Sequence, residues 1–171
     1  MPQTPVTRER FEQGMTYDEF KERMTRNQER FAANERALVL DPADVDVFKR
    51  LQRPLNVLVL AEDWCGDVID NLPILGRLAA ESGKLNLRVF LRDQNPDLMD
   101  NYLNRGEFRS IPVFAFFDEN MTEVARFLER PKEQTEEIEK KMLEVRRALR
   151  AERYMDWRGG VVKEIRSLLK V

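Results

Sequence analysis

In 171 residues the chain has one cysteine, Cys65, and no histidine. A single thiol excludes an intramolecular disulfide, and without histidine the commonest metal ligand and the commonest general base are both gone. A zinc site of the usual kind, a Ser-His-Asp triad and a Cys-His protease pair are excluded together, and no metal or other cofactor is expected. Charge of one sign is also missing. Interspersed along the chain, 29 basic and 31 acidic residues leave a net charge of −2, so no large field draws in nucleic acid or a membrane surface, and neither is an expected partner. No stretch approaches the ~18 apolar residues of a membrane span. Met1-Pro2-Gln3-Thr4-Pro5 has no apolar signal-peptide core, and the expected location is the cytoplasm.

What is present describes a folded protein with a charged outer face, since 42% of residues are hydrophobic and 35% charged. A chain of this length buries about 70% of its unfolded surface around one core, so one domain with extensions is the expectation. Thr16 with Glu19 is a capping-box signal, and Phe20, Met24 and Phe31 place an apolar stripe on the helix that follows, predicted over residues 17–34. Asp41-Pro42 opens a second helix carrying Val47 and Leu51 and ending near Gln52. Residues 1–53 therefore read as a helical extension that packs on or covers a core, with no chemistry of their own.

The core begins with the apolar run 55–60, a strand buried on both faces. After a turn at Glu62-Asp63, the spacing of Leu72, Leu75, Leu78 and Ala79 predicts a helix closed by Ser82-Gly83. Alternation over 85–91 gives a second strand, Asn95-Pro96 starts another helix, and residues 113–117 and 123–128 around Asp118-Glu119-Asn120 read as a hairpin. The fold class is α/β: a central mixed sheet flanked by helices, with helical extensions at both ends. In residues 131–171, Ile138, Met142, Val145 and Leu149 mark an amphipathic helix. Gly159-Gly160 is expected to break it before a shorter stripe of Val161, Ile165, Leu168 and Leu169. Arg146, Arg147, Arg150 and Arg153 fit a solvated face better than a phosphate or acidic-partner site. Tyr154, Met155 and Trp157 form an aromatic patch that docks on the core or makes a dimer contact, docking being favoured.

The chemistry centres on Trp64-Cys65-Gly66-Asp67-Val68, where the strand gives way to the helix. This segment, with Pro73 eight residues after the cysteine, resembles the thioredoxin active-site stretch Trp-Cys-Gly-Pro-Cys and its helix, and aligns without a gap. Asp93-Gln94-Asn95-Pro96 resembles that family's next helix start, and Ile111-Pro112 falls where it has a cis-proline. The resemblance covers residues 54–130 and implies a thioredoxin-like fold. It departs in that the resolving cysteine is Val68 and the intervening proline is Asp67. The family's buried Asp and Lys proton relay falls on Val59 and Val89, and its glycine after the last strand falls near Glu129.

A thiol in the first turn of a helix faces unpaired N–H groups and the positive end of the dipole, which lower its pKa. Asp67 opposes this, although it can also cap the same helix end. The resemblance implies that Cys65 attacks and an external thiol resolves, with Asp67 tuning it. It also implies that Trp64, Gly66 and the loop Ser110-Ile111-Pro112 receive the substrate, a protein disulfide or a low-molecular-weight thiol. Two alternatives stand beside this monothiol oxidoreductase: a non-catalytic peptide-binding module, and a redox-sensing switch at Cys65. The oligomeric state is left open.

Overall fold

The computed structural model describes residues 6–169. Up to Arg130 the chain forms one compact unit, and a second begins at Pro131. Four helices come first, α1 (Arg8–Glu12), α2 (Tyr17–Arg23), α3 (Gln28–Ala37) and α4 (Pro42–Lys49). The sheet and its crossovers follow: β1 (Leu55–Ala61), α5 (Gly66–Ser82), β2 (Leu85–Leu91), a 3-10 turn Arg92–Gln94, α6 (Pro96–Met99), β3 (Val113–Phe117) and β4 (Glu123–Leu128).

The strand order is β2-β1-β3-β4. β1 pairs parallel with β2 and antiparallel with β3, which in turn is antiparallel to β4. A parallel pair needs a crossover, and α5 supplies it. β1 is the centre of this mixed sheet, and Val57 to Ala61 are fully buried, as a Val/Leu run without alternation requires. Val59 and Val89 are partners in the β1/β2 register, both with 0% exposure. An apolar pair thus fills the two positions where the family resemblance would have a buried carboxylate and amine, which is consistent because either charge alone would carry a heavy desolvation cost. The hairpin turns as its residues predict. The Asp118 carboxylate accepts the N–H groups of Asn120 and Thr122 at 2.8 and 2.9 Å, a local bond that only a short polar side chain can make.

Phe11, Phe20, Met24 and Phe31 of the leading segment share one core cluster with the residues of β1, α5 and β3. α3 and α4 pack on α5, α2 lies on β2, and Met15 exchanges backbone hydrogen bonds with Val89 at 2.9 and 2.7 Å on the outer edge of β2. One of these contacts solves a local problem. Pro73 lies inside α5 and cannot donate to the Ile69 carbonyl four residues back. Asn34 of α3 donates to that carbonyl instead, at 2.9 Å. The Tyr17 ring fits against α5 because residue 76 is glycine: a Cβ there would stand 2.6 Å from Tyr17 Cε2 and 2.8 Å from its Oη. That hydroxyl donates to Glu35 at 2.8 Å.

Three expectations are corrected. The helix predicted over 17–34 is two helices, because the intervening backbone spends its hydrogen bonds elsewhere. Met24 is extended, Asn27 is left-handed at φ 56°, and the N–H groups of Thr25 and Arg26 donate to the Asp63 carboxylate at 2.7 and 2.9 Å. The Asn27 amide also donates to the Asp63 carbonyl, at 2.8 Å. α4 stops at Lys49 rather than near Gln52. In the second unit, α7 (Lys132–Leu169) runs through Gly159-Gly160 without a break. Two glycines cost a helix roughly 2 kcal/mol against alanine but still adopt helical dihedrals, and no capping residue or proline enforces a stop. Arg146, Arg147, Arg150 and Arg153 are exposed on this helix, and the side chains of Tyr154, Met155 and Trp157 lie outside the described residues. No helix among the described residues is long and apolar enough to cross a membrane.

The Asp63 bonds give a pH dependence. Burial works against its charge, but the N–H groups of Thr25 and Arg26 hold the carboxyl below its ordinary value. A depressed folded-state pKa stabilises the protein above the unfolded value and loses that contribution as pH falls through the folded one. Asp63→Ala should therefore lower stability by about 1 kcal/mol at neutral pH, because Thr25 and Arg26 are exposed and water takes over part of the lost bonding. Denaturant titrations of variant and parent should converge as the pH is lowered into the acid range, and a gap that stays constant with pH would count against this account.

Candidate functional site

Cys65 is the N-cap residue of α5, with extended backbone at φ −84° and ψ 121°. The strand-to-helix corner that places it is fixed by the Cys65 N–H to the Glu62 carbonyl at 3.2 Å and the Ile69 N–H to the Cys65 carbonyl at 3.1 Å. The thiol is half-buried and donates to the carbonyl of Ile111 at 3.4 Å. The Ile111–Pro112 peptide bond is cis. The segments carrying Cys65 and Pro112, 46 residues apart at this contact, thus meet at the sulfur.

The sequence sets the helix terminus against the Asp67 carboxylate without ranking them, and burial of the thiol adds a third effect, which is the largest. Burial pushes Cys65 up, the Asp67 carboxylate adds to the rise, and the N–H groups of Val68 and Asp67 and the Arg92 guanidinium offset it only in part. The helix terminus acts on the sulfur as the sequence implies, but desolvation is the larger effect. Asp67 does not cap the helix end. Its carboxylate lies 2.9 Å from Arg130 Nη2, and Arg130 also pairs with Glu129.

The other site residues surround the thiol in different roles. Trp64 is 41% exposed, with the Arg92 guanidinium 4.8 Å over its ring. Gly66 has open space where a Cβ would project, so approach from that side is unobstructed. Val68, at the position of a resolving cysteine, is fully buried. Ile111 is buried, and Ser110 receives the Asn104 amide at 3.4 Å.

Several polar residues here take roles that their sequence positions did not signal. Glu62 is 8% exposed, its carboxylate accepts the Asp93 N–H at 2.8 Å, and burial raises its pKa. With Phe20, Arg23, Thr25 and Asp63 it lines a cavity of about 230 Å³. Asn104 donates to Glu129 at 2.9 Å. Asn71 reaches the carbonyls of Asp67 and Glu129 at 2.9 and 3.4 Å. Glu129 itself is left-handed at φ 64°, and its N–H donates to the Pro112 carbonyl at 2.7 Å. The position where the resemblance expects glycine therefore keeps a glycine-like backbone while carrying a carboxylate. Among the described residues no cluster of cysteine, aspartate and glutamate is arranged to hold a metal ion.

A strand-to-helix corner with cysteine at its cap, a cis-proline opposite and a β2-β1-β3-β4 sheet define a thioredoxin-like protein. The sequence pattern of the thioredoxin family matches residues 14–145. The chain belongs to that family. The match is wider than residues 54–130: it takes in α2 to α4 and the first turns of α7. A protein of unknown function from Pseudomonas aeruginosa is similar in structure, with a TM-score of 0.62 and 24% identity over 71% of this chain and 75% of the other. An HIV epitope-scaffold is similar at a TM-score of 0.64 and 25% identity, over 71% of this chain and 76% of its own. No curated protein matches the chain.

Proposed function

We propose that the protein is a monothiol thiol–disulfide oxidoreductase in which Cys65 attacks and an external thiol resolves. The Cys65 thiolate forms a bond to one sulfur of a substrate disulfide, and the other sulfur leaves as a thiolate that takes up a proton. A second thiol, from a low-molecular-weight compound or another protein, then attacks the mixed disulfide. Its sulfur keeps the substrate portion in a new disulfide, and Cys65 is released. No oxidant or reductant beyond these sulfurs is required.

One observation carries this reading: Cys65 Sγ lies at the cap of α5, against the Ile111 carbonyl beside the cis bond. Trp64 offers an exposed apolar face to the substrate, and the backbone of Ser110 and Ile111 receives an extended peptide as an added strand. A second reading, a binding module that keeps the groove without turnover, is favoured by the burial that holds the thiol protonated.

Incubation with 2-hydroxyethyl disulfide, followed by intact-mass spectrometry, separates the two. The oxidoreductase gives a single adduct on the native protein that glutathione removes and that Cys65→Ser lacks. A native protein that forms no adduct even at alkaline pH rules out the oxidoreductase and leaves the binding module.

A further inference from the structure

Resting on the reading of Cys65 as the reacting thiol, the geometry assigns Arg130 as a positioning residue of that site, acting on the sulfur through Asp67. A chain of polar contacts runs from Asp67 to Arg130, to Glu129, to Asn104 and to Ser110. Its first member is in the opening turn of α5, two residues from the thiol, and its last is in the loop before Pro112. The two walls between which the sulfur sits are thereby tied together by a path that does not pass through the sulfur.

Arg130 is the hinge of this path. Its side chain is only 18% exposed, one nitrogen serves both carboxylates, and its Nε is buried with no partner among the described residues. A guanidinium held in that way acts on its carboxylates with little solvent between them, so its field is weakly screened. Both carboxylates are placed by backbone: Asp67 by the helix, and Glu129 by its left-handed conformation and its bond to Pro112. Arg130 lies against the Asp67 carboxylate, the acidic group nearer the sulfur in sequence, and opposes the negative potential that this carboxylate imposes on a forming thiolate.

The other charged groups about the sulfur are already engaged. Arg92, on the turn after β2, pairs with Asp93 and donates to the Arg109 carbonyl at 3.2 Å. Arg109 pairs with Asp100, Glu62 accepts from Asp93, and Asp63 accepts from Thr25 and Arg26. Arg92 acts on the thiol directly, and Arg130 is the cation bonded to the Asp67 carboxylate.

The test is the pH profile of Cys65 alkylation by iodoacetamide in the parent protein, Arg130→Gln, Asp67→Asn and the double variant. Arg130→Gln is expected to move the profile to higher pH and Asp67→Asn to lower pH. The shift caused by Arg130→Gln should shrink when residue 67 is asparagine, because the path to the sulfur has lost its first member. Arg130→Lys, which keeps the charge, should restore most of the parent profile. Profiles for parent and Arg130→Gln that superimpose, or a shift of equal size in both backgrounds, overturn the assignment. If Arg130→Gln does not fold, Asp67→Asn decides: an unmoved profile overturns it. Disulfide turnover by the parent is measured alongside. Profiles that shift as expected without turnover uphold Arg130 and refute the oxidoreductase, whereas turnover with superimposed profiles refutes Arg130 alone.

Discussion

Replacing Phe31 by alanine will lower the unfolding free energy by about 3–5 kcal/mol, the range for removing a buried phenylalanine ring. Phe31 is 2% exposed, with its ring 6.4 Å from that of Phe20 and 6.1 Å from that of Tyr17. It belongs to the same apolar cluster as Val57, Leu58 and Leu60 of β1. A loss of this size is a large share of the stability of a domain, typically 5–15 kcal/mol in all. Amide hydrogen exchange followed across a urea series at α3 and at β1 should give one coincident transition at a lower midpoint with an unchanged slope. A helical segment that merely covered the sheet would instead melt separately, leaving the sheet's midpoint in place. Val39, 88% exposed on the same segment, is the control: Val39→Ala should stay within about 0.5 kcal/mol of the parent.

Local signals in the sequence were legible because local physics decides them. The Thr16 capping box forms as read, with Glu19 bonding the Thr16 N–H at 2.7 Å. Gly83 ends α5 at φ 65°, and the strands at Leu85–Leu91, Val113–Phe117 and Glu123–Leu128 match their apolar runs. Illegible were the features set by bonds across long sequence separations. The apolar stripe through Phe20, Met24 and Phe31 is real, yet the helix carrying it breaks because Asp63, 38 residues away from Thr25, accepts its backbone. The resemblance to thioredoxins brought Cys65, Trp64 and the Ile111-Pro112 loop to one place. Nothing in the spacing linked Arg130 to Asp67, 63 positions apart, because an arginine after a strand and before a proline has the composition of an ordinary surface turn. The direction of the thiol pKa was left open in the sequence for a related reason. The helix terminus is visible in sequence, and the depth at which the chain buries the cap is not.

That depth carries the other large effect. Native Cys65 should react with iodoacetamide more slowly at neutral pH than the same residue in urea, and its rate should go on climbing at pH values where the denatured thiol has levelled off. The denatured thiol serves as an internal standard near the ordinary ~8.5 of free cysteine. In the native protein burial is the first cause of the rise and the Asp67 charge adds to it, against the N–H groups of Asp67 and Val68 and the Arg92 guanidinium. The sign follows from which form each group favours. Desolvation and a neighbouring carboxylate disfavour the anion, and the hydrogen bond from Sγ to the Ile111 carbonyl exists only while the thiol keeps its proton. Below the thiol's pKa each unit of pH then costs about tenfold in thiolate and hence in attack rate. Formation of the 2-hydroxyethyl mixed disulfide must follow the same curve if thiolate is the attacking species. A native thiol that alkylates faster than the denatured one would mean that the helix terminus outweighs burial, contrary to the geometry at Cys65.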